Sequence, residues 1–379
     1  MKQTIILGLD IAELTELAQE WGEPPFRARQ IFESVYGQRL TSIDSIFTLP
    51  AKLRSLLNQS GVEVGAPLIE KKFVSSDGTV RYLIALSDGQ TVETVWMPEG
   101  DDGETGDGTE AGESPTRARM SRATICVSSQ VGCAVACRFC LTALLGVKRN
   151  LTAGEIVGQV CAVLNHQQVS PPNDRVNLVF MGMGEPFLNY DNFIKSVRLL
   201  KDGVGIPESR MTVSTAGIVP RIYDLGLEAT RPKLAISLNA SNDGLRTELM
   251  PINRKWSLAS LIAAARDFPL RPREKLTFEY VLLNGVNDSA VNAREVVELI
   301  RGLRAKVNLI ALNPGPGIDF ETPAPDKVLE FQKILIAADI PAFIRRPRGR
   351  DIYAACGQLK RTVEMSSAYC HASLTDGPR

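Results

Sequence analysis

The chain has 379 residues, 44% of them hydrophobic and 23% charged, an ordinary globular composition, and it contains no run of about 18 apolar residues that would offer a membrane span. Seven cysteines are too few, and odd in number, for a disulfide scaffold; thiols kept reduced serve more often as ligands or catalysts. The formal net charge is zero, which by itself speaks against nucleic acid, but the balance is uneven along the chain.

The opening residues, Met1 to Asp10, have too short an apolar run for a signal peptide and no cleavage site, so a cytoplasmic location is expected. Residues 10 to about 60 show helical periodicity, with Ile11, Leu14, Leu17 and Ala18 on one face, then Ile31 and Val35, then Leu53, Leu56 and Leu57. Gly22-Glu23-Pro24-Pro25 interrupts the run. With Arg27, Arg29, Arg39 and Lys52 available for phosphates, 1–60 reads as a helical, RNA-binding-like domain. Residues 61–98 read as a small antiparallel β domain: Val80–Leu86 and Gln90–Trp96 flank the hairpin signal Asp88-Gly89, and Asp77-Gly78 marks an earlier turn.

Glu99 to Ser114 reads EGDDGETGDGTEAGES, seven acidic residues and none basic. It cannot bury enough apolar surface to order itself, so 99–116 is expected to be a disordered insert. Without those residues the chain has 43 basic against 36 acidic side chains, and the body is mildly basic.

From 117 to 362 strands and helices alternate. The pattern predicts strands at Thr124–Val127, Val176–Met181, Met211–Ser214, Leu234–Leu238, Leu276–Leu282, Val307–Leu312 and Ala342–Arg345. It predicts helices at Ala153–Leu164, Tyr190–Leu200, Leu258–Phe268, Ala290–Leu303 and Asp326–Ala338. This alternation implies an α/β fold with a parallel sheet, open or curled into a barrel. A site belongs at the carboxyl ends of its strands in either case. Residues 363–379 form a tail.

Three thiols in eight residues, Cys133-Ala134-Val135-Ala136-Cys137-Arg138-Phe139-Cys140, suit one soft metal centre, either zinc or an iron–sulfur cluster. A structural zinc site wants four closed ligands, and no fourth lies nearby in sequence; Cys370 beside His371 keeps that alternative open. On a cubane, three cysteines leave one iron free to react.

The spacing, with an aromatic before the last cysteine, resembles the radical S-adenosylmethionine superfamily. Arg122 to Cys133 (RATICVSSQVGC), Phe180 to Pro186 (FMGMGEP) and Ala354 to Leu359 (AACGQL) resemble the RlmN and Cfr family of RNA adenine methyltransferases within it, and the likeness covers nearly the whole chain. The resemblance implies a partial (β/α)6-type radical SAM barrel with an N-terminal helical domain and a small β-hairpin domain. It implies one [4Fe-4S] cluster on Cys133, Cys137 and Cys140, and two S-adenosylmethionine molecules per turnover. It places cofactor contacts at Gly184, Glu185, Ser214, Ser237, Leu238, Asn239 and Asn313, although the family usually has histidine where this chain has Asn239.

Carbon 2 of adenine has no lone pair with which to attack a sulfonium methyl, but a carbon radical can add there. By resemblance, Cys356 first accepts a methyl group. A 5′-deoxyadenosyl radical from a second cofactor molecule takes hydrogen from that methyl, and the methylene radical adds to the base. Glu93 then removes the carbon 2 proton, and Cys126 attacks the sulfur of Cys356 to release the product. Read singly, Cys126 and Cys356 suit small buried hydrophobes better than catalysts, and the alternative for Glu93 is a solvent-facing strand residue. Arg345-Arg346-Pro347-Arg348-Gly349-Arg350 and Lys148-Arg149 are candidate phosphate contacts near the cysteines.

The activity implied is methylation of carbon 2 of an adenine in 23S rRNA, at the peptidyl transferase centre, and of the adenine 3′ of the anticodon in some tRNAs. A monomer served by a flavodoxin-like reductant is expected. Two rivals stand beside it: carbon 8 methylation of the resistance (Cfr) type, against which Pro186 speaks, and a zinc-stabilised RNA-binding protein without catalysis.

Overall fold

The computed structural model describes residues 4–98 and 123–359. The acidic segment, Arg122 and the tail with Cys370 and His371 lie outside the described residues.

At the N-terminus β1 (Thr4–Ile5) is followed by α1 (Ile11–Glu20), α2 (Phe26–Phe32), α3 (Ala51–Gln59) and β2 (Val62–Glu63), which pairs parallel to β1. A capping box starts α1: the Asp10 carboxylate accepts from the Ala12 and Glu13 N–H groups, and Glu13 Oε2 accepts from the Asp10 N–H at 2.8 Å. Leu14, Ala18, Ile31, Leu53 and Leu57 are buried. This unit seats closely on the rest of the chain. A Cβ on Gly8 would fall 2.7 Å from the Gly154 nitrogen. Arg39 donates to Asn165 Oδ1 at 2.8 Å, and Lys195 pairs with Glu13 at 2.6 Å.

Next come β3 (Leu68–Val74), β4 (Val80–Ala85) and β5 (Thr91–Met97), an antiparallel meander. The barrel follows with β6 (Ala123–Cys126), the hairpin β7 (Gln130–Gly132) and β8 (Val147–Asn150), then α4 (Ala153–Gln167), β9 (Val176–Phe180), α5 (Tyr190–Asp202), β10 (Met211–Thr215), α6 (Val219–Leu227) and β11 (Lys233–Ser237). It continues with α7 (Asp243–Leu249), α8 (Leu258–Asp267), β12 (Leu276–Leu282), α9 (Ala290–Ile300), β13 (Ala305–Ala311), α10 (Pro325–Ala337) and β14 (Ala342–Ile344). Each predicted barrel strand begins and ends within two residues of an observed one. None of the helices among the described residues is long and apolar enough to cross a membrane.

The meander does not form a sheet of its own. Strand β5 pairs antiparallel with β6, giving one ten-stranded sheet in the order β14-β13-β12-β11-β10-β9-β6-β5-β4-β3. The reason lies in β4 and β5, which are buried on both faces along most of their length; a free three-stranded sheet has no way to cover both. Within that sheet every pairing between β6 and β14 is parallel.

Register decides what faces inward. Val95 lies opposite Cys126, Cys126 opposite Val179 and Val179 opposite Thr212. Ser214 lies opposite Ala235, Ser237 opposite Glu279, and Glu279 opposite Asn308. Because side chains alternate along a strand, Glu93, Cys126, Ser214, Ser237, Glu279 and Asn308 share one face. The alternate residues, among them Leu178, Val213, Ile236 and Phe278, are fully buried on the opposite, helix-covered face.

Candidate functional site

The strands β7 and β8 bracket the loop that carries Cys133, Cys137 and Cys140. Its base is so narrow that a Cβ on Gly132, at φ +82°, would fall 1.8 Å from the Gly146 carbonyl oxygen. That carbonyl accepts from the Cys133 N–H at 3.0 Å. Within the loop Ala136 adopts φ 57°, a left-handed turn between the first two cysteines. Two outside anchors fix the loop: the Arg138 N–H donates to the Leu249 carbonyl at 3.0 Å, and the Leu141 N–H to the Gly357 carbonyl at 2.7 Å.

Cys133 and Cys137 pack against the apolar group Val135, Ala216, Leu249, Met250, Leu283 and Leu312. Burial pushes the Cys133 thiol up to about 12, and the nearby Cys140 and Glu185 add to the rise. Cys137 is raised well above the ordinary range by burial, then by Cys140 and Cys133. Among the described residues no three His, Cys, Asp or Glu side chains close on a single ion, as a structural zinc shell must. Three sulfur donors on one short loop, two of them packed against that apolar group with thiolates that burial disfavours, fit a polynuclear centre that brings its own positive charge. His166 is elsewhere, 2.9 Å from the Tyr82 hydroxyl and 3.2 Å from Lys72 Nζ.

Gly182 and Gly184 follow β9 and permit close backbone approach. A Cβ on Gly182 would meet Ser128 Oγ at 2.7 Å, and one on Gly184, at φ +100°, would meet Gln130 at 2.6 Å. Glu185 is buried; its Oε2 accepts from the Ala216 N–H at 2.7 Å and its Oε1 from the Phe187 N–H at 3.1 Å. Burial nevertheless pushes its carboxyl up to about 7, against those hydrogen bonds. Ser214 and Ser237 hydroxyls lie 3.2 Å apart at the ends of β10 and β11. Leu238 is fully buried, and its N–H donates to the Glu279 carbonyl at 3.0 Å. Asn239 sits at φ 55°, where asparagine is well tolerated. Its Oδ1 accepts from the Val281 N–H at 2.9 Å, and its Nδ2 donates to Met250 Sδ at 3.3 Å. The side chain is thus engaged within the fold, and the Asn239 backbone carbonyl accepts from Asn287 Nδ2 at 2.9 Å. Asn313, just past β13, is 7% exposed.

Cys126 and Cys356 lie close enough that the charge of Cys356 adds to the rise that burial imposes on the Cys126 thiol. Neither is in a disulfide. Cys126 is buried in β6, whereas Cys356 is open to solvent yet surrounded by enough protein that desolvation raises its thiol, with Glu279 adding and Arg345 opposing. It therefore stands in a recess. Glu93, on the same inner face as Cys126, is not solvent-facing: it is sealed at 0% exposure and paired with Arg81 Nη1 at 2.9 Å. The Ser128 hydroxyl donates to the Glu93 carbonyl at 2.6 Å and accepts from the Met183 N–H at 2.9 Å, tying β5 to the glycine-rich loop.

Sequence reading missed Arg81, Ser128, Gln130 and Arg246. The alternation of β4 could have pointed to Arg81 as inward-facing, and Ser128 and Gln130 lie within the RATICVSSQVGC stretch. Two basic candidates for phosphate are already engaged: Arg149 pairs with Asp88 at 2.7 Å and Glu155 at 2.8 Å, and Arg27 with Glu23 at 3.3 Å. Lys148, Arg346 and Arg350 are exposed.

The chain is similar to known proteins along most of its length. Residues 127–300 match the radical SAM superfamily, and residues 4–62 match the ribosomal RNA large subunit methyltransferase N-terminal domain. A protein of Koribacter versatilis described as "Probable dual-specificity RNA methyltransferase RlmN" is 66% identical over 341 residues, 90% of this chain and 97% of that protein. The "Dual-specificity RNA methyltransferase RlmN" of Syntrophobacter fumaroxidans is 43% identical over 361 residues, 95% of this chain and 98% of its own. The crystal structure of a radical SAM methyltransferase from Sphaerobacter thermophilus superposes with a TM-score of 0.83 at 42% identity, covering 94% of this chain and 98% of that one. The chain is a radical SAM enzyme and belongs to the RlmN family of RNA methyltransferases.

Proposed function

We propose that the enzyme methylates carbon 2 of an adenine in the peptidyl transferase centre of 23S rRNA, and of the adenine 3′ of the anticodon in certain tRNAs, through a methylated Cys356. Cys133, Cys137 and Cys140 hold a [4Fe-4S] cluster. Glu185, with the backbone around Gly184, Ser214, Ser237, Leu238, Asn239 and Asn313, receives S-adenosylmethionine at the carboxyl ends of the strands, where ligands of such sheets bind. Cluster and cofactor together supply a methyl cation equivalent, one electron and a hydrogen-abstracting radical, two cofactor molecules being used per turnover.

The protein's own residues do the rest. Cys356 Sγ takes the methyl group and presents its carbon to the base. The adduct would give its unpaired electron back to the one-electron couple that started the cycle and its carbon 2 proton to Glu93. The Cys126 thiolate then attacks the Cys356 sulfur, the sulfur–carbon bond breaks, and the freed carbon takes up a proton to become methyl. The Cys126–Cys356 disulfide left behind is reopened by an external thiol reductant. What supports this reading is the neighbourhood of Cys356: its charge raises the Cys126 thiol, Cys140 of the cysteine loop acts on its own thiol, and the Leu141–Gly357 hydrogen bond ties its segment to that loop. The adenine must already be unstacked to enter the recess. A low-potential, flavodoxin-like donor serves the cluster, and the protein acts as a monomer.

Nucleoside mass spectrometry of RNA from cells lacking and then regaining this protein tests the reading. 2-Methyladenosine should return with it. 8-Methyladenosine in its place assigns the resistance chemistry instead. Anaerobically purified protein should be brown, with iron and sulfide, and carry a methyl group on the Cys356 peptide.

A further inference from the structure

Arg246 lies on α7, outside every motif that identified the family. Its side chain is fully buried and makes four hydrogen bonds, all to neutral acceptors. Nε donates to the Leu238 carbonyl at 3.1 Å and Nη1 to Asn253 Oδ1 at 3.0 Å. Nη2 donates to the Ala216 carbonyl at 2.7 Å and the Ser237 carbonyl at 3.0 Å. Asp243 stands one side chain away, holding Asn253 Nδ2 at 2.8 Å. A buried guanidinium without a carboxylate in contact is an expensive arrangement, so its charge needs a counterpart.

Two charges act on it, Cys137 of the cysteine loop first and Asp243 second. The same helix end that bears Arg246 receives the Arg138 N–H on Leu249, and Leu249 packs with Cys133 and Cys137. Cys137 and Arg246 each sense the other's charge. A [4Fe-4S]2+ core on three thiolates carries net −1, and −2 after accepting one electron. The fork also fixes three backbone carbonyls of the cofactor shelf, including that of Ala216, whose N–H holds Glu185.

We propose that Arg246 is a positioning residue with two effects: its charge offsets the negative charge of the reduced cluster, favouring one-electron reduction, and its fork fixes the shelf that receives S-adenosylmethionine. This deepens the function proposed above and rests on it. A buried charge acts strongly on a neighbouring charge because the surroundings screen it poorly.

The test uses the full-length, anaerobically reconstituted protein without RNA. Iron and sulfide are counted, and the cluster is titrated with dithionite under EPR; binding of labelled S-adenosylmethionine is measured separately. Arg246→Gln keeps amide donors but no charge, and should shift the reduction equilibrium at least tenfold toward the oxidised form, about 59 mV more negative. Arg246→Lys keeps the charge without the fork; it should hold the wild-type potential while binding the cofactor at least fivefold more weakly. An unshifted potential in the Gln variant at equal iron content overturns the proposal. If the Gln variant does not fold, a Lys variant with a tenfold shift, or with unchanged cofactor affinity, overturns it. Wild-type protein that assembles no cluster overturns instead the reading of the site on which this proposal stands.

Discussion

Arg81 and Glu93 form an ion pair at 2.9 Å with side chains 3% and 0% exposed, on neighbouring strands and on the face that also bears Cys126. Such a pair is costly to break from one side, because the remaining charge stays in a poorly solvating interior. The Arg81 guanidinium also stacks on the Phe73 ring, 4.3 Å from its centroid.

Glu93→Gln should keep the iron content, lower the denaturant midpoint because Arg81 stays charged and buried, and lower turnover on RNA by about 10²–10⁴-fold, the range for loss of a positioned base. Arg81→Met should lower stability by about 3 kcal/mol, read from a denaturant midpoint, with part of the loss recovered in the Arg81→Met/Glu93→Gln double variant. A Glu93→Gln enzyme with normal turnover would remove Glu93 from the chemistry.

Cys126→Ala should arrest the reaction with protein bound covalently to RNA, visible as a nuclease-sensitive shift on a denaturing gel. Cys356→Ala should give no adduct at all. Free turnover by the Cys126 variant would refute its resolving role.

Glu185 gives a pH dependence to the cluster-free protein. Its folded carboxyl is raised by burial to about 7, above the ordinary 4.5, so between these values the folded chain binds more protons than the unfolded one. Stability therefore falls as pH rises through that window, by at most roughly 3 kcal/mol. Thermal melts from pH 4.5 to 7 should show this slope, and Glu185→Gln should flatten it.

A clasp joins the two ends of the sheet. Asp77 Oδ2 accepts from the Gly349 N–H at 2.9 Å, and Asp351 accepts from Ser75 Oγ at 2.5 Å and the Ser76 N–H at 3.1 Å. The turn between β3 and β4 thus holds the segment leading to Cys356. Asp77→Ala/Asp351→Ala should increase hydrogen exchange over residues 345–357 and slow RNA methylation, while global stability changes by only about 1 kcal/mol.

Much of the barrel was legible because its strands and helices alternate with distinct periodicities, and their ends are marked by glycine, proline and capping residues such as Thr152 and Ser257. The cysteine loop was legible because its three cysteines lie within eight residues of one another. The fate of the meander was not, since the sequence of β5 does not state which edge it joins. Nor was the sealing of Glu93, which depends on Arg81 from the adjacent strand, or the burial of Arg246, whose four acceptors come from three separate segments. Charge runs misled for the same reason: Arg149 looks free in sequence, and Asp88 meets it only through the fold.

The hydrogen bond from Leu141 to Gly357 makes the two halves of the proposed chemistry mechanically inseparable. Air that strips iron from the thiols would slacken the peptide against which the methyl acceptor is braced. On this reading, a disturbance of the cysteine loop is passed to the segment of Cys356 through a single peptide contact.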